Sequence, residues 1–293
     1  MHPQDLRLRR SLLFVPGADA RKFDRAAQAG ADTILFDLED SVAPEHKLRA
    51  REQVAHAIGR GGFGAAELAV RINAPSTPYF EEDLAASVTA GAAAILLPKA
   101  EEVDVVRGVV SRLGAGDPAP ALLLLVESAR GVARAVALAA VDGVAALCFG
   151  HADFALDMGL PGADPAAGVV LHARCAIAIA AKAAGVAPID NVCLAVKDAD
   201  AFRADAAGGV RLGYEGKMCI HPDQVPIANA LYTPTPDQVT YARRVLAGWE
   251  QAQADGRGVF TLDGTMIDAP LVALQRRVLA SAERAAGGPG RQA

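Results

Sequence analysis

Short apolar segments recur along the chain, and most of them end on a charged or polar residue. Eight stand out, beginning at residues 11, 33, 68, 94, 121, 145, 187 and 217: SLLFVP, TILFDLED, LAVRIN, AILLPK, ALLLLVES, AALCFG, APIDNV and KMCIHP. Apolar runs of this length are typical of strands buried on both faces of a parallel sheet. The pattern therefore predicts eight such strands, with polar side chains at their carboxyl ends.

The stretches between these segments have helix-forming composition, as in DARKFDRAAQAGA and ESARGVARAVALAAV, and often close on a glycine that suits a helix end. Strand followed by helix, eight times, predicts an α/β fold, the (β/α)8 TIM barrel. An open doubly wound sheet would also give parallel strands. The turn after the first segment reads VPGADARKF, however, and lacks the G-x-G-x-x-G fingerprint, so the barrel is favoured.

The eighth segment ends near residue 222, so the sequence predicts a catalytic barrel over 1–222 and a helical extension over 223–293. Within the extension, Thr235 and Pro236 are expected to begin a helix. Pro270 is expected to start a last helix through Arg284. The final residues, AAGGPGRQA, are expected to be disordered.

Composition limits the classes of protein to consider. Apolar residues make up 52% of the 293 residues, and the net charge of −5 argues against a nucleic-acid surface. No apolar run of transmembrane length is free of charge, and no secretory signal is evident, which predicts a cytoplasmic protein without a membrane partner. Arg7, Arg9 and Arg10 are expected on a solvated N-terminus.

Two acids follow neighbouring strands of the predicted barrel. Glu127 ends the segment ALLLLVES, and Asp153 follows AALCFG. Ligands of TIM barrels bind at the carboxyl ends of the strands, and two hard oxygen donors there favour a divalent cation. Either acid alone would be interpreted as a cap of the helix that follows it. The pair favours a metal site.

The motifs SLLFVPG, TILFDLEDSV, VRIN, ILLPKAE, LLLLVESARG, FGHADF, GYEGKMCIHPDQ and GTMIDAP occur in this order. Together they resemble the citrate lyase β-subunit-like family of acyl-CoA lyases, which includes malyl-CoA and citramalyl-CoA lyases. The resemblance covers roughly Arg10 to Leu279. It implies one Mg²⁺ held by Glu127 and Asp153, an acyl-CoA substrate, and a homotrimer or hexamer whose active sites are shared between subunits.

The same resemblance implies roles for individual residues. Arg71 of VRIN matches the family's substrate arginine. Asp268 of GTMIDAP matches a catalytic acid that the C-terminal lid of a neighbouring subunit contributes, with Gly264 interpreted as the hinge of that lid and Pro270 as the start of its last helix. Glu39 is interpreted as an outer group that holds Arg71 or a metal-bound water, and Asp37 as a weaker candidate for that role. Because side chains alternate along a strand, Asp40 is expected to point away from Asp37 and Glu39.

Coenzyme A is expected across the barrel mouth near the first strand and helix. The matching residues are Phe14, together with Arg21 and Arg25, which lie four positions apart and could meet the phosphates as a pair. An ordinary solvated helix face remains the alternative for the two arginines. Ile220 and His221 match the family's late contacts to the acyl-CoA, although a histidine in this position could also be structural.

The sequence therefore predicts a Mg²⁺-dependent lyase that cleaves citramalyl-CoA or malyl-CoA to acetyl-CoA and pyruvate or glyoxylate, through a thioester enolate. The alternatives are a citrate lyase β subunit acting on a carrier-bound citryl group, a malyl-CoA thioesterase, and a non-catalytic scaffold barrel.

Overall fold

Eight parallel strands close into a barrel in chain order, since the last strand pairs with the first. The computed structural model describes residues 7–114 and 119–287. The strands are β1 (Ser11–Pro16), β2 (Thr33–Asp37), β3 (Glu67–Arg71), β4 (Ala94–Leu97), β5 (Ala121–Val126), β6 (Val144–Phe149), β7 (Ala187–Asp190) and β8 (Gly216–Cys219). Closure confirms the predicted TIM barrel and excludes the open sheet.

Small and aliphatic side chains fill the barrel interior. Every strand contributes to one buried cluster, including Leu12, Leu35, Ala69, Leu96, Leu123, Cys148, Ile189 and Met218. This composition agrees with the layered packing of TIM barrels, in which alternate strands supply each layer. Because the interior is packed, a ligand has access only to the ends of the strands.

Helices follow the strands and cover the barrel. They are α1 (Arg21–Ala27), α2 (Lys47–Arg60), α3 (Phe80–Thr89), α4 (Val103–Leu113), α5 (Ala129–Ala133), α6 (Ala135–Ala139), α7 (His151–Asp157), α8 (Gly168–Ala184), α9 (Ala199–Arg211) and α10 (Gln224–Leu231). The segment ESARGVARAVALAAV forms two short helices that meet at Arg134. Among the described helices, none combines the length and apolar character needed to cross a membrane.

The amino-terminal end of the barrel is sealed by ion pairs. Arg9 is buried and donates to Glu67 Oε1 and Oε2, each at 2.7 Å, while Arg10 pairs with Asp32 at 2.8 Å. The expectation that Arg9 and Arg10 lie on a solvated terminus was wrong. A carboxylate that is distant in sequence holds each of them against the barrel. Sequence composition gives no sign of that pairing.

Contacts between residues divide the described chain into two units, with the division after Leu231. Helix α10 packs against β1 and β8 and so lies with the barrel. The second unit contains α11 (Pro236–Ala254), a hairpin of β9 (Phe260–Leu262) and β10 (Thr265–Ile267), and α12 (Ala269–Gly287). The boundary proposed after residue 222 and the role of the extension as a lid stay predictions.

Thr235 caps α11 in a capping box with Gln238, and Pro236 is its first residue, as predicted. At the other end of the unit, α12 continues to Gly287. The first three residues of the expected disordered tail are therefore helical, while 288–293 lie outside the described residues. Alanine favours helix strongly enough to extend α12 through the start of that tail.

Candidate active site

Five ionisable side chains gather where β2, β3, β5 and β6 end. Asp37 ends β2, Glu39 follows two residues later, Arg71 ends β3, Glu127 follows β5, and Asp153 lies in the first turn of α7 after β6. Charges on Glu39, Asp153 and Arg71 all act on the pKa of Glu127, so these groups form one electrostatic unit. We call Asp37, Glu39, Arg71, Glu127 and Asp153 the mouth cluster.

Arg71 is held rigidly at the centre of the mouth cluster. Its Nε and Nη2 donate to the two carboxylate oxygens of Asp37, each at 2.7 Å, and its guanidinium carbon lies 4.9 Å from the centre of the Phe14 ring. Burial raises the pKa of Asp37, but the charge and hydrogen bonds of Arg71 outweigh it and lower that pKa overall. This fork-to-fork pairing fixes the direction of the guanidinium.

Asp37 has a larger role than predicted, and Asp40 does not point away as strand alternation predicted. Asp37 is the principal partner of Arg71 rather than a weaker candidate, and Asp40 lies 3.5 Å from Arg71 Nη1 instead of pointing away. Strand β2 ends at Asp37, so the alternation of side chains no longer applies to the following residues. Both acids therefore face the same guanidinium.

Glu127 is almost fully buried, and its position is fixed from two sides. Its Oε1 accepts a hydrogen bond of 2.8 Å from the backbone N–H of Lys99, a residue with a left-handed φ of 50°. Gly150 lies against it so closely that a Cβ there would be 2.7 Å from Glu127 Oε2. Burial, and then the negative charges of Glu39 and Asp153, raise the pKa of Glu127 to about 8.

Glu39 is also buried and has incomplete hydrogen bonding. Arg71 Nη1 lies 2.9 Å from Glu39 Oε2, but the geometry does not make a hydrogen bond, and no other described group donates to this oxygen. Burial raises the pKa of Glu39 to about 7, with Arg71 opposing that rise. The backbone here is secured by Lys47, whose Nζ donates to the carbonyl oxygens of Leu38 and Glu39, both at 2.7 Å.

These features fit a divalent cation. Carboxylates outnumber cationic side chains around the mouth cluster, and burial makes their mutual repulsion costly. A buried Glu39 oxygen without a hydrogen-bond donor, and a Glu127 Oε2 that any side chain at residue 150 would obstruct, are compatible with such an ion near Glu127. Within the described residues, no three His, Cys, Asp or Glu side chains form a metal-binding group. An ion here would therefore depend on one or two protein carboxylates, a number that Mg²⁺ accepts.

A groove of about 510 Å³ lies beside the carboxyl ends of β1 and β2. Its lining includes Asp19, Arg21, Lys22, Arg49 and Gln53, but Arg25 is not part of it. The side chain of Arg21 is 90% exposed and pairs with Asp19. The structure therefore supplies basic side chains at the place predicted for coenzyme A, with Lys22 and Arg49 as additional candidates that the sequence did not single out.

Ile220 and His221 follow β8 and are partly buried. The backbone N–H of Ile220 donates to Gln224 Oε1 at 2.8 Å, and His221 Nδ1 accepts from the N–H of Asp223 at 3.2 Å. These local bonds satisfy the Ile220 amide and one ring nitrogen. Contact of either residue with an acyl-CoA stays a prediction.

Asp268 lies in the C-terminal unit, between β10 and α12. Its Oδ1 accepts a hydrogen bond of 3.2 Å from the N–H of Leu271, so it caps α12. Gly264 forms the two-residue turn of the hairpin with Asp263, and both residues have positive φ. Its role as a hinge stays a prediction. Asp-Gly between two short apolar runs is a strong hairpin signal, so this turn could have been predicted from the sequence.

Comparisons with known proteins agree on one family. A profile described as HpcH/HpaI aldolase/citrate lyase matches residues 10–222. The citrate lyase subunit beta of Leuconostoc mesenteroides is 35% identical over 281 residues, 93% of each chain. A (3S)-malyl-CoA thioesterase of Cereibacter sphaeroides is 32% identical and covers 94% of each chain.

One similar solved structure contains bound ligands. The protein CitE from Mycobacterium tuberculosis, in complex with magnesium, acetoacetate and coenzyme A, has a TM-score of 0.79 and 30% sequence identity, and the match covers 93% of this chain and 97% of that one.

Proposed function

The chain belongs to the HpcH/HpaI aldolase/citrate lyase family, and on that premise we propose that it is a Mg²⁺-dependent carbon–carbon lyase. Its substrate would be citramalyl-CoA or malyl-CoA, cleaved to acetyl-CoA and pyruvate or glyoxylate. The observation that carries the proposal is the mouth cluster, in which Arg71 is fixed by Asp37 beside Glu127 and Asp153. The magnesium and coenzyme A bound by the related CitE structure support it.

In this proposal Glu127 and Asp153 hold the ion. Mg²⁺, when bound, would supply a Lewis acid that polarises the carboxylate and hydroxyl oxygens of the substrate. The N–H of Lys99 keeps Glu127 in its orientation. Glu39 and Asp37 orient Arg71, whose guanidinium stabilises the substrate oxygen that gains charge as the bond breaks.

The bond cleavage needs a base for the substrate hydroxyl and an acid for the product. When the hydroxyl gives its proton to a carboxylate of the mouth cluster, its oxygen becomes the carbonyl oxygen of the 2-oxo acid, and the carbon–carbon electron pair moves to the thioester and forms its enolate. Asp268, contributed by a neighbouring subunit, would protonate the enolate carbon to give acetyl-CoA. A nucleophilic thiol is not required, and burial raises the pKa of Cys148 and of Cys219 to about 12.

Product analysis tests this function against its rivals. Purified protein is incubated with Mg²⁺ and, separately, citramalyl-CoA, malyl-CoA and citryl-CoA, and the 2-oxo acid, acetyl-CoA and free thiol are measured. Equal amounts of 2-oxo acid and acetyl-CoA are expected. Free thiol with an intact hydroxy acid would identify a thioesterase instead, and turnover only when citryl is attached to a carrier protein would identify a citrate lyase β subunit.

Affinity for Mg²⁺ should depend on pH through Glu127 and Glu39. Their raised pKa values mean that the metal-free folded state holds protons that the unfolded state releases above about pH 4.3. The contribution of these two carboxyl groups to the stability of the metal-free protein should therefore be fully present below about pH 4.3 and be lost as pH rises through about 7 to 8. Because Mg²⁺ requires the ionised carboxylates, its stabilisation should grow over the same range.

Thermal unfolding with and without Mg²⁺ at pH 6.0 and pH 8.5 measures both effects. The increase in Tm caused by Mg²⁺ should be larger at pH 8.5, and Glu127→Gln should remove most of that difference. An equal increase at both pH values in the unchanged protein would contradict the account.

The groove supports a binding role for Arg21. Arg25 is tested with it because it lies four positions later on α1, although it is not part of the groove lining. Replacing Arg21 and Arg25 by Ala should raise KM for the thioester with far less effect on kcat, since phosphate contacts are equal in the ground and transition states. Arg107 and Arg203 provide a matched control, because both are exposed and pair with an aspartate three residues earlier. An unchanged KM in the first double variant would assign that face of α1 to solvent.

A further inference from the structure

An aromatic ring packs directly on the backbone of α11. A Cβ built on Gly248 would lie 2.4 Å from Cε2 and 2.8 Å from Cζ of Phe260. Carbon atoms in contact are normally 3.5–4.0 Å apart. Only glycine at this position leaves room for the hairpin to dock as it does.

The hairpin transmits this contact toward Asp268. Phe260 on β9 is paired with Ile267 on β10, and Ile267 is 1% exposed in a cluster with Val245 and Trp249 of α11. Asp268 is the next residue along the chain. The height of the Phe260 ring above α11 therefore sets where Ile267 lies, and with it the backbone of Asp268.

A second contact fixes the tip of the hairpin to the same helix. Arg244 of α11 donates to both carboxylate oxygens of Asp263, at 2.7 Å and 2.8 Å. Both side chains are about half exposed, so this pair contributes little to stability. Its bidentate geometry nevertheless limits rotation of the hairpin about the Phe260 contact.

We infer that Gly248 is a positioning residue that places Asp268 for catalysis, acting through Phe260 and Ile267. This inference rests on the proposed role of Asp268 as the acid that protonates the enolate. The hairpin is docked on α11 through Phe260 and Asp263, so α11, the hairpin and the start of α12 act as one body that carries Asp268.

Gly248→Ala tests the inference. It should lower kcat for the cleaved thioester by about 10–100-fold, because a displacement of the order of 1 Å can cost about 10²-fold. KM and the binding of Mg²⁺ with pyruvate, measured by calorimetry, should not change. Trp249 is the single tryptophan of the chain, so its emission should shift to longer wavelength as Phe260 is pushed away.

Two further variants separate positioning from general damage. Gly108→Ala makes the same change within α4 at a site with no neighbour within 4 Å, and it should leave kcat and emission unchanged. Adding Phe260→Leu to Gly248→Ala should relieve the clash and recover much of the lost kcat. A fully active Gly248→Ala, or a loss that Phe260→Leu does not relieve, would overturn the inference.

Asp268→Asn distinguishes failure of the inference from failure of the proposed function. If Asp268→Asn is inactive while Gly248→Ala is fully active, only the positioning role is wrong. If Asp268→Asn is fully active, its catalytic role is wrong, and the positioning role falls with it.

Discussion

A protein carrying Asp153→Asn is expected to fold normally and to lose more than about 10²-fold of its Mg²⁺-dependent turnover. Groups that only support a metal ligand already cost about 10–100-fold when removed, and a ligand should cost more. Asparagine keeps the size of the side chain, and the N-cap of α7 is Gly150 rather than Asp153. The change therefore removes a charge without removing a structural contact.

Glu127→Gln tests the same metal site through the other proposed ligand, which follows β5. Gln can still accept the hydrogen bond from the Lys99 N–H, and a neutral side chain avoids the burial cost that raises the pKa of Glu127. Asp157→Asn is the matched control: it lies in the same helix as Asp153 and accepts from the N–H of Ala129, which an amide oxygen can also do. Full turnover of the unchanged enzyme in excess chelator would refute the metal site.

Asp268→Ala is expected to reduce cleavage by about 10²–10⁴-fold, the usual cost of a missing general acid or base. The mouth cluster is untouched by this change. Binding of Mg²⁺ with the 2-oxo acid product, measured by calorimetry, should therefore be retained. Unreduced cleavage by Asp268→Ala would remove its catalytic role.

Mixing two inactive variants tests whether neighbouring subunits share the site. If Asp268 acts on the next subunit, exchange of subunits between Asp268→Ala and Asp153→Asn proteins should restore part of the activity. Asp153→Asn is preferred to a truncation of Arg71, which would leave buried Asp37 without its partner at a cost of about 3–5 kcal/mol. Confirmed exchange with no recovery would show that each site uses its own Asp268.

The barrel could be predicted from sequence because its signal is local. Each strand is a short apolar run with a polar residue at its end, so the positions of Arg71, Glu127 and Asp153 at one end of the barrel follow from the run boundaries alone. The path of the chain after each strand ends depends on contacts with residues that are distant in sequence. Asp40 was misplaced because the alternation rule was extended past Asp37, where β2 stops.

The residues that hold the site in place could not be predicted. Lys47 reaches the backbone of Glu39 from α2, and the amide of Lys99 reaches Glu127 from the neighbouring strand. Such contacts depend on packing between elements, and the residue types alone do not reveal them. Gly248 is a similar case, because its importance depends on a ring that is distant in sequence.

Cleavage in D₂O tests the lyase claim most directly. The unchanged enzyme, Mg²⁺ and the thioester that it consumes are incubated in D₂O, and the acetyl group and the acid product are examined by mass spectrometry. Protonation of an enolate predicts acetyl-CoA with one deuterium in its methyl group, together with an equal amount of 2-oxo acid. Free coenzyme A with an intact hydroxy acid that carries no carbon-bound deuterium would contradict the account.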